Sequence, residues 1–358
     1  MNKRFKYSKG ELNCPVFFPD ATRAVIKSLD SVDIAKTKTE GILVNTFHLL
    51  TDMGKKIKNV KQFMNWSGAV ISDSGGFQVM SLAKTQGGKV SDLGVKFNLS
   101  KKKSILLTPE KSIEFQMRLN PDMLVVLDDF TLAKASYKEA KETVDRTVLW
   151  AKRSKIEFEK ICKRKKISKA SRPYLLAVVQ GGDYLDLRKV CAEKLIEIGF
   201  DGYGYGGWPL TDENKFNYAV AETIAKIIPK QFFLYGLGIG KPDEVVNLVK
   251  LGYDIFDCVL PTRDARHGRL YIYTAKDIKS IDLTQPEFYQ YFSPDKDRNY
   301  ADVRPVSTAC DCLLCTNYSR AYLRHLFKIN DSTAMRLATI HNLRFYSILM
   351  EKLKGKVF

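Results

Sequence analysis

The chain has 358 residues, with 58 lysines and arginines against 40 aspartates and glutamates, a formal net charge of +18 at neutral pH. Its 45% hydrophobic and 11% aromatic residues can bury a large core, which excludes a disordered basic tail or a histone-like arm as the whole molecule. So large a basic excess points to a polyanionic partner, and the length allows one large or two ordinary domains.

Eight short apolar runs recur without a fixed-period repeat, separated by helix-patterned or polar stretches. PVFFPD (15–20) comes first, followed by helix-like TRAVIKSLD, then GILVNTFHLL (41–50) and GAVISDSGG (68–76). TPEKSIEFQMRLN, with Pro109 and Glu110 in its first turn, reads as a helix before DMLVVLDDF (122–130). A long helical stretch over 137–166 leads to YLLAVVQGG (174–182), LRKVCAEKLIEIG to FDGYGYGGW (200–208), and FFLYGLGIG (232–240) through PDEVVNLVKLG to YDIFDCVLP (253–261). Runs that are nearly continuous in apolar residues suit parallel strands buried on both faces.

Strand–helix alternation with eight strands predicts an α/β fold, a (β/α)8 TIM-type barrel, with an open doubly wound sheet as the alternative. After about residue 270 the sequence reads as polar loop, then a cysteine cluster, then amphipathic helices near 317–330 and 334–354. The expected organisation is a catalytic barrel over 1–300, completed by the helix at about 334–354, with a metal-binding subdomain at 301–341 near the C-terminus. No apolar run reaches the roughly 20 residues a membrane span needs, and MNKRFKYSKG lacks the apolar segment of a signal peptide, so a cytoplasmic address and no membrane partner are expected.

Seven of the eight runs end in a polar residue or a glycine pair: Asn45, Asp73 before Gly75–Gly76, Asp128 and Asp129, Gln180 before Gly181–Gly182, Gly206–Gly207, Gly236, and Asp257. Any one aspartate could merely cap a helix, but in a barrel these ends converge on the face where active sites are built. Several carboxylates without a Ser–His pairing suit acid/base or nucleophilic carboxylate chemistry, such as glycosidic cleavage through an oxocarbenium-like transition state. Paired glycines let the backbone approach a flat ligand, and Phe77 and Tyr235 could stack on it, as a nucleobase would require.

Cys310-x-Cys312-x-x-Cys315 offers three thiolates within six residues, enough for a tetrahedral zinc with one further ligand. Spacing leaves His325 and His341 open as that ligand. Four protein ligands would make a closed, structural site. An odd total of seven cysteines argues against a disulfide framework and for a reducing compartment.

The segments SDSGGFQ (72–78), TPEKSIEFQ (108–116), VVQGG (178–182), FDGYGYGG (200–207), FDCVLPTRDARHG (256–268), CDCLLCTNYSRAYLRHL (310–326) and TIHNLRFY (339–346), in this order, resemble one family: the tRNA-guanine transglycosylases, or queuine tRNA-ribosyltransferases. The resemblance runs from about residue 14 to 352. It implies a barrel with a zinc-bearing insertion that exchanges a guanine in the tRNA anticodon loop for a 7-deazaguanine, queuine or its precursor. It assigns Asp257 as the nucleophile at the ribose C1′ and Asp73 as the general acid/base. It also assigns Asp128, Gln180 and the backbone at Gly207 to hydrogen bonding of the base, with Phe77 and Tyr235 sandwiching it. Arg263 and Arg266 match residues that recognise the flanking bases of the tRNA. The family zinc pattern selects His341 with Cys310, Cys312 and Cys315. Family members commonly form homodimers, with the zinc subdomain in the contact.

Three departures from the bacterial pattern bear on the base pocket. Phe130 stands in place of a cysteine, and Trp208-Pro209-Leu210-Thr211-Asp212-Glu213 replaces a small apolar run ending in Gly-Glu, so that Asp212 or Glu213 is the candidate for the usual acidic group. GLGIGKP (236–242) is two residues longer than the usual form. Two other readings follow: a related enzyme acting on DNA, suggested by the altered pocket segment, and a non-catalytic tRNA-binding subunit, opposed by the presence of both aspartates. With an acidic centre at Asp73, Asp128, Asp129 and Asp257, the excess lysine and arginine should lie around that face and the zinc subdomain.

Overall fold

The apolar runs form short strands, rich in β-branched and aromatic residues and stopped by glycine, proline or aspartate. The structure, a computed structural model, describes residues 3–76, 88–100 and 103–354. Eight parallel strands run Val16–Pro19 (β1), Gly41–Asn45 (β2), Ala69–Asp73 (β3), Met123–Val125 (β4), Tyr174–Val179 (β5), Gly202–Tyr205 (β6), Phe233–Gly236 (β7) and Ile255–Cys258 (β8). Consecutive strands pair from β2 to β8, and β8 returns to β1 with Asp257 opposite Phe18 and Cys258 opposite Pro19. A bridge between Asp20 and Leu43, with the Ala21 amide donating to the Leu43 carbonyl at 2.7 Å, joins β1 to β2. This ring is the (β/α)8 barrel, and it excludes the open doubly wound sheet.

Side-chain alternation divides each strand between two cores. Outward positions such as Phe17, Val44, Val70, Leu124, Ala177, Tyr203, Leu234 and Phe256 pack under the helices. Inward positions such as Val16, Phe18, Leu43, Ile71, Val125, Val178 and Ile255 fill the barrel. Every inward position of β6 is glycine, because a Cβ at Gly202 would come within 2.7 Å of Phe233 Cβ and one at Gly204 within 2.5 Å of Leu237 Cδ1. An antiparallel hairpin, Arg4–Tyr7 with Gly10–Asn13, closes the end where the strands begin; its buried Phe5 ring lies 5.7 Å from Phe18 and 5.4 Å from Tyr174. The opposite end, where the strands finish, is left for chemistry.

Helix boundaries follow the capping residues. Thr108 caps Pro109–Leu119 by accepting from Lys111 N at 3.3 Å, and Ser136 with Glu139 forms a capping box at Tyr137–Arg164. TRAVIKSLD is not the helix its pattern suggests. Ala24 and Ser28 take left-handed backbone angles there, and the Asp30 side chain, accepting from Asp33 N at 2.8 Å, starts the helix at Ser31–Lys36 instead. The stretch after 270 is likewise not plain loop: Leu270–Tyr273 pairs antiparallel with Tyr289–Phe292. Tyr273 stacks on Phe345 at 4.1 Å, which binds this ribbon to the long, mostly buried helix Ser332–Lys354. That helix packs on β1 through Tyr346 and Phe17, 4.5 Å apart. Among the described residues, no helix is long and apolar enough to cross a membrane.

Candidate active site and metal cluster

Along five strands the inward series passes from apolar to polar at the open end. Val16 and Phe18 lead to Asp20, Leu43 to Asn45, Ala69 and Ile71 to Asp73, Leu176 and Val178 to Gln180, and Ile255 to Asp257. The same period-2 pattern that fills the barrel therefore aims these side chains into its mouth. Cys258, one step beyond Asp257, belongs to the outer core, as alternation requires.

Asp257 Oδ1 accepts from the Tyr235 hydroxyl at 2.7 Å and from Gly238 N at 2.9 Å. Burial pushes its carboxyl up to about 7, and the like charges of Asp73 and Asp20 add to the rise, against the lowering effect of the two donors. Asp73 Oδ2 accepts from Asn45 Nδ2 at 2.8 Å and Gly75 N at 3.3 Å, and burial raises it to about 6. Two carboxylates raised toward neutrality thus share one mouth, so the pair can carry a single proton between them near neutral pH.

Across the mouth, Gln180 is wholly buried and its amide is fixed at both ends: Oε1 accepts from Thr131 N at 3.1 Å, and Nε2 donates to Asp128 Oδ2 at 2.6 Å. Burial raises Asp128 to about 7, with Asp73 and Asp129 adding like charge. Gly207 must be glycine, since its φ is +81° and an added Cβ would approach Gln180 Oε1 to 3.1 Å.

Other expected residues are placed differently. Tyr235 offers no stacking face: its ring is fully buried inside the barrel, and its hydroxyl is bound to Asp257. The half-exposed Leu237 lies against Gly204 instead. Phe77 lies outside the described residues. Asp129 turns away to an ion pair with Arg146, although its charge still reaches Asp128. Asp212 and Glu213 both project into solvent, facing Lys134 at 3.5 Å and Lys215 at 2.7 Å. Neither acid lies in the cavity.

Asp20 was missed, although it ends the PVFFPD run as the other polar residues end theirs. It stands directly after β1, whose neighbours in the ring are β8, with Asp257, and β2, with Asn45, and its carboxylate accepts from Thr22 Oγ1 at 2.5 Å. Burial raises its pKa, against Thr22 and the charges of His48 and Arg266. Arg263 and Arg266 lie on the short helix Leu260–Arg266 that follows β8. Arg263 is exposed, its Nε 3.9 Å from Asp264, while Arg266 is half-buried and donates to the Thr262 carbonyl at 2.8 Å.

The ligand atoms of Cys310, Cys312, Cys315 and His341 all lie within 4.8 Å of one another, a set that could hold a metal ion. His341 Nδ1 is 3.2 Å from Cys315 Sγ, and its Nε2 is 2.8 Å from the Tyr271 carbonyl, which orients the ring and leaves Nδ1 to the cluster. His325 is exposed and takes no part. Three soft thiols and one imidazole in closed array suit zinc.

A family model described as Queuine tRNA-ribosyltransferase matches residues 3–357. A queuine tRNA-ribosyltransferase of Blochmanniella floridana is 37% identical over 354 residues, covering 97% of this chain and 87% of that protein. Those of Shewanella sp. (strain W3-18-1) and Vibrio atlanticus (strain LGP32) are 36% and 35% identical over 359 residues, covering 99% of this chain and 89% and 88% of theirs. With a closed barrel, an acidic mouth and a Cys3His cluster in the same chain, these matches make it a member of the queuine tRNA-ribosyltransferase family, the tRNA-guanine transglycosylases.

Proposed function

We propose that the chain exchanges a guanine in the tRNA anticodon loop for a 7-deazaguanine base, queuine or its precursor, through a covalent aspartyl-ribosyl intermediate in queuosine formation. The observation that carries this reading is the placement of Asp257 and Asp73 at one barrel mouth, both held near neutral pKa. An Asp257 oxygen attacks the ribose C1′, and the C1′–N9 electron pair departs with the guanine, which takes a proton from Asp73. The incoming base then gives its ring N–H proton to Asp73 as its nitrogen attacks C1′ and frees Asp257. A covalent link keeps the tRNA in place while one base leaves the slot and another enters.

In this reading Asp128, Gln180 and the Gly207 backbone hydrogen-bond the base, Phe77 covers one face of it, and Tyr235 orients Asp257. Arg263 and Arg266 contact the tRNA beside the target. Zinc is the proposed metal of Cys310, Cys312, Cys315 and His341, where it would supply structure to a subdomain at 301–341 beside a barrel of 1–300 and 334–354. A homodimer in the cytoplasm completes the proposal. Exposed Val303, Tyr318 and Tyr322 give that subdomain, with Tyr300 at its edge, the apolar surface a second copy would cover.

Incubation with labelled guanine and unmodified tRNA tests the reading. Incorporation by the wild type and none by Asp257→Ala is the expected result; equal behaviour overturns the mechanism. Exchange into DNA but not tRNA would assign the other polymer, and tRNA binding without exchange a non-catalytic subunit.

A further inference from the structure

Arg188, in the first turn of Leu185–Ile198, is fully buried, yet no carboxylate among the described residues pairs with it. Its Nε donates to the Gly182 carbonyl at 2.8 Å, and one Nη to the carbonyls of Val179 at 2.5 Å and Gly206 at 2.8 Å. The other Nη has no partner, and a Cβ at Gly207 would lie 3.4 Å from it. The guanidinium sits 5.1 Å over the Tyr205 ring. Asp183, the carboxylate whose field reaches Arg188, is exposed and already accepts from Asn217 Nδ2 at 2.9 Å. Gly181 is glycine because the helix start packs on it: a Cβ there would meet the Arg188 backbone N at 2.8 Å and the Leu187 carbonyl carbon at 3.1 Å, with the Arg188 side-chain Cδ at 3.2 Å.

A buried cation without a counter-ion is costly, and three carbonyls could be tied together by a neutral donor at less cost. What the charge adds is a field directed at the Gly206–Gly207 peptide. With the Gly206 carbonyl turned to the guanidinium, the Gly207 N–H of the same trans peptide points away from it. A carbonyl polarised by a cation makes its own peptide N–H a stronger donor. When the glycosidic bond breaks, the C1′–N9 electron pair enters the purine and spreads onto its carbonyl oxygen until the proton arrives.

We propose that Arg188 is a positioning residue that acts through the Gly206–Gly207 peptide, strengthening the Gly207 N–H as donor to the base and so stabilising the negative charge on the departing guanine. The proposal rests on the base-exchange reading above, in which Gly207 faces the base. It sets one positive charge behind the Gly207 N–H at the base end, so the slot accommodates a leaving anion beside a carboxylate nucleophile.

The test varies the leaving group. Full-length wild type, Arg188→Lys and Arg188→Met are given tRNA preloaded by the wild type with labelled guanine or with labelled 8-azaguanine, whose ring N–H is more acidic, and release of label into excess guanine is followed. Arg188→Met should lose about tenfold or more in kcat for guanine but much less for 8-azaguanine, with KM for tRNA unchanged, and Arg188→Lys should recover part of the loss. An equal loss for both bases, or a loss carried by KM, would reduce Arg188 to a structural staple and overturn the proposal. Arg188→Gln, which can still donate to one carbonyl, replaces Arg188→Met should that variant not fold. Failure of the wild type to release either base would count against the base-exchange reading itself.

Discussion

The Tyr235 hydroxyl donates to Asp257 Oδ1 at 2.7 Å, the same oxygen that accepts from Gly238 N at 2.9 Å. Both donors favour the charged carboxylate and oppose the rise that burial imposes. In Tyr235→Phe one donor is lost, so Asp257 holds its proton to higher pH. The acid limb of the exchange rate against pH should move upward, and kcat at neutral pH should fall by about tenfold, since a hydrogen bond to a charged group is worth about 1.5–3 kcal/mol. An unshifted profile would mean that the Asp257 carboxylate does not limit the rate.

Asp20 makes the opposite prediction. Its charge raises both Asp257 and Asp73, so Asp20→Asn, which keeps the shape and removes the charge, should let both ionise at lower pH. The acid limb should move down where Tyr235→Phe moves it up. Profiles displaced in the same direction by the two variants would contradict the electrostatic account of the mouth.

The same burial has a stability consequence with a definite sign. Asp257 titrates at about 7 in the fold, while an aspartate in an unfolded chain titrates near 3.9. The fold therefore keeps a proton that the unfolded chain releases, and stability falls as pH rises from the lower value through the upper one. Asp257→Asn removes this term. Its melting temperature should exceed the wild type's by a margin that grows with pH and levels off above about 7, equivalent to about 2–4 kcal/mol after partial solvent access is allowed for. A margin that does not change with pH would show that Asp257 is not strained by burial, and a less stable variant at high pH would reverse the argument.

The barrel was legible because buried parallel strands write nearly continuous apolar runs, and its rim because one polar residue follows five of the eight runs at the inward phase. Asn45, Asp73, Gln180 and Asp257 all obey that rule, and so does Asp20 at the end of PVFFPD. What sequence could not give was orientation off the strands. Asp129 turns to Arg146, a partner 17 residues on in a helix, and Asp212 and Glu213 turn to nearby lysines. Tyr235 looked like a stacking ring because it precedes a glycine, but its phase on β7 points it into the barrel interior. Arg188 carries no sequence signal beyond its place in a helix, since a buried guanidinium is recognised only by the carbonyls gathered around it.

The metal cluster separates two histidines that spacing left equal. His341 is buried, with Nε2 fixed by the Tyr271 carbonyl and Nδ1 toward the thiols, whereas His325 is exposed. His341→Ala and Cys312→Ser should each lose about one equivalent of bound metal per chain and melt earlier, and His325→Ala should keep both metal and melting temperature. Metal analysis of the purified variants is the check. Retention of metal by His341→Ala would refute the assigned donor set.

The +18 charge makes a last prediction, because its carriers are not all on one face. Helix Tyr137–Arg164 runs antiparallel to the strands, so Lys163, Arg164, Lys165 and Lys166 gather at the end where the strands begin, away from the mouth. Arg263, on the helix after β8, is at the mouth, exposed and only loosely engaged by Asp264. If tRNA is gripped by phosphates around the mouth, its affinity should fall steeply with salt while guanine affinity hardly changes. Arg263→Ala should weaken tRNA binding and lower the salt slope by about one, and the double change Lys165→Ala with Lys166→Ala should leave the slope as it was. Titrations of both ligands over a range of salt decide the matter: an equal salt dependence for tRNA and guanine would mean that the charge serves something other than substrate binding, and a slope that responds to Lys165 and Lys166 instead of Arg263 would place the polyanion on the other end of the barrel.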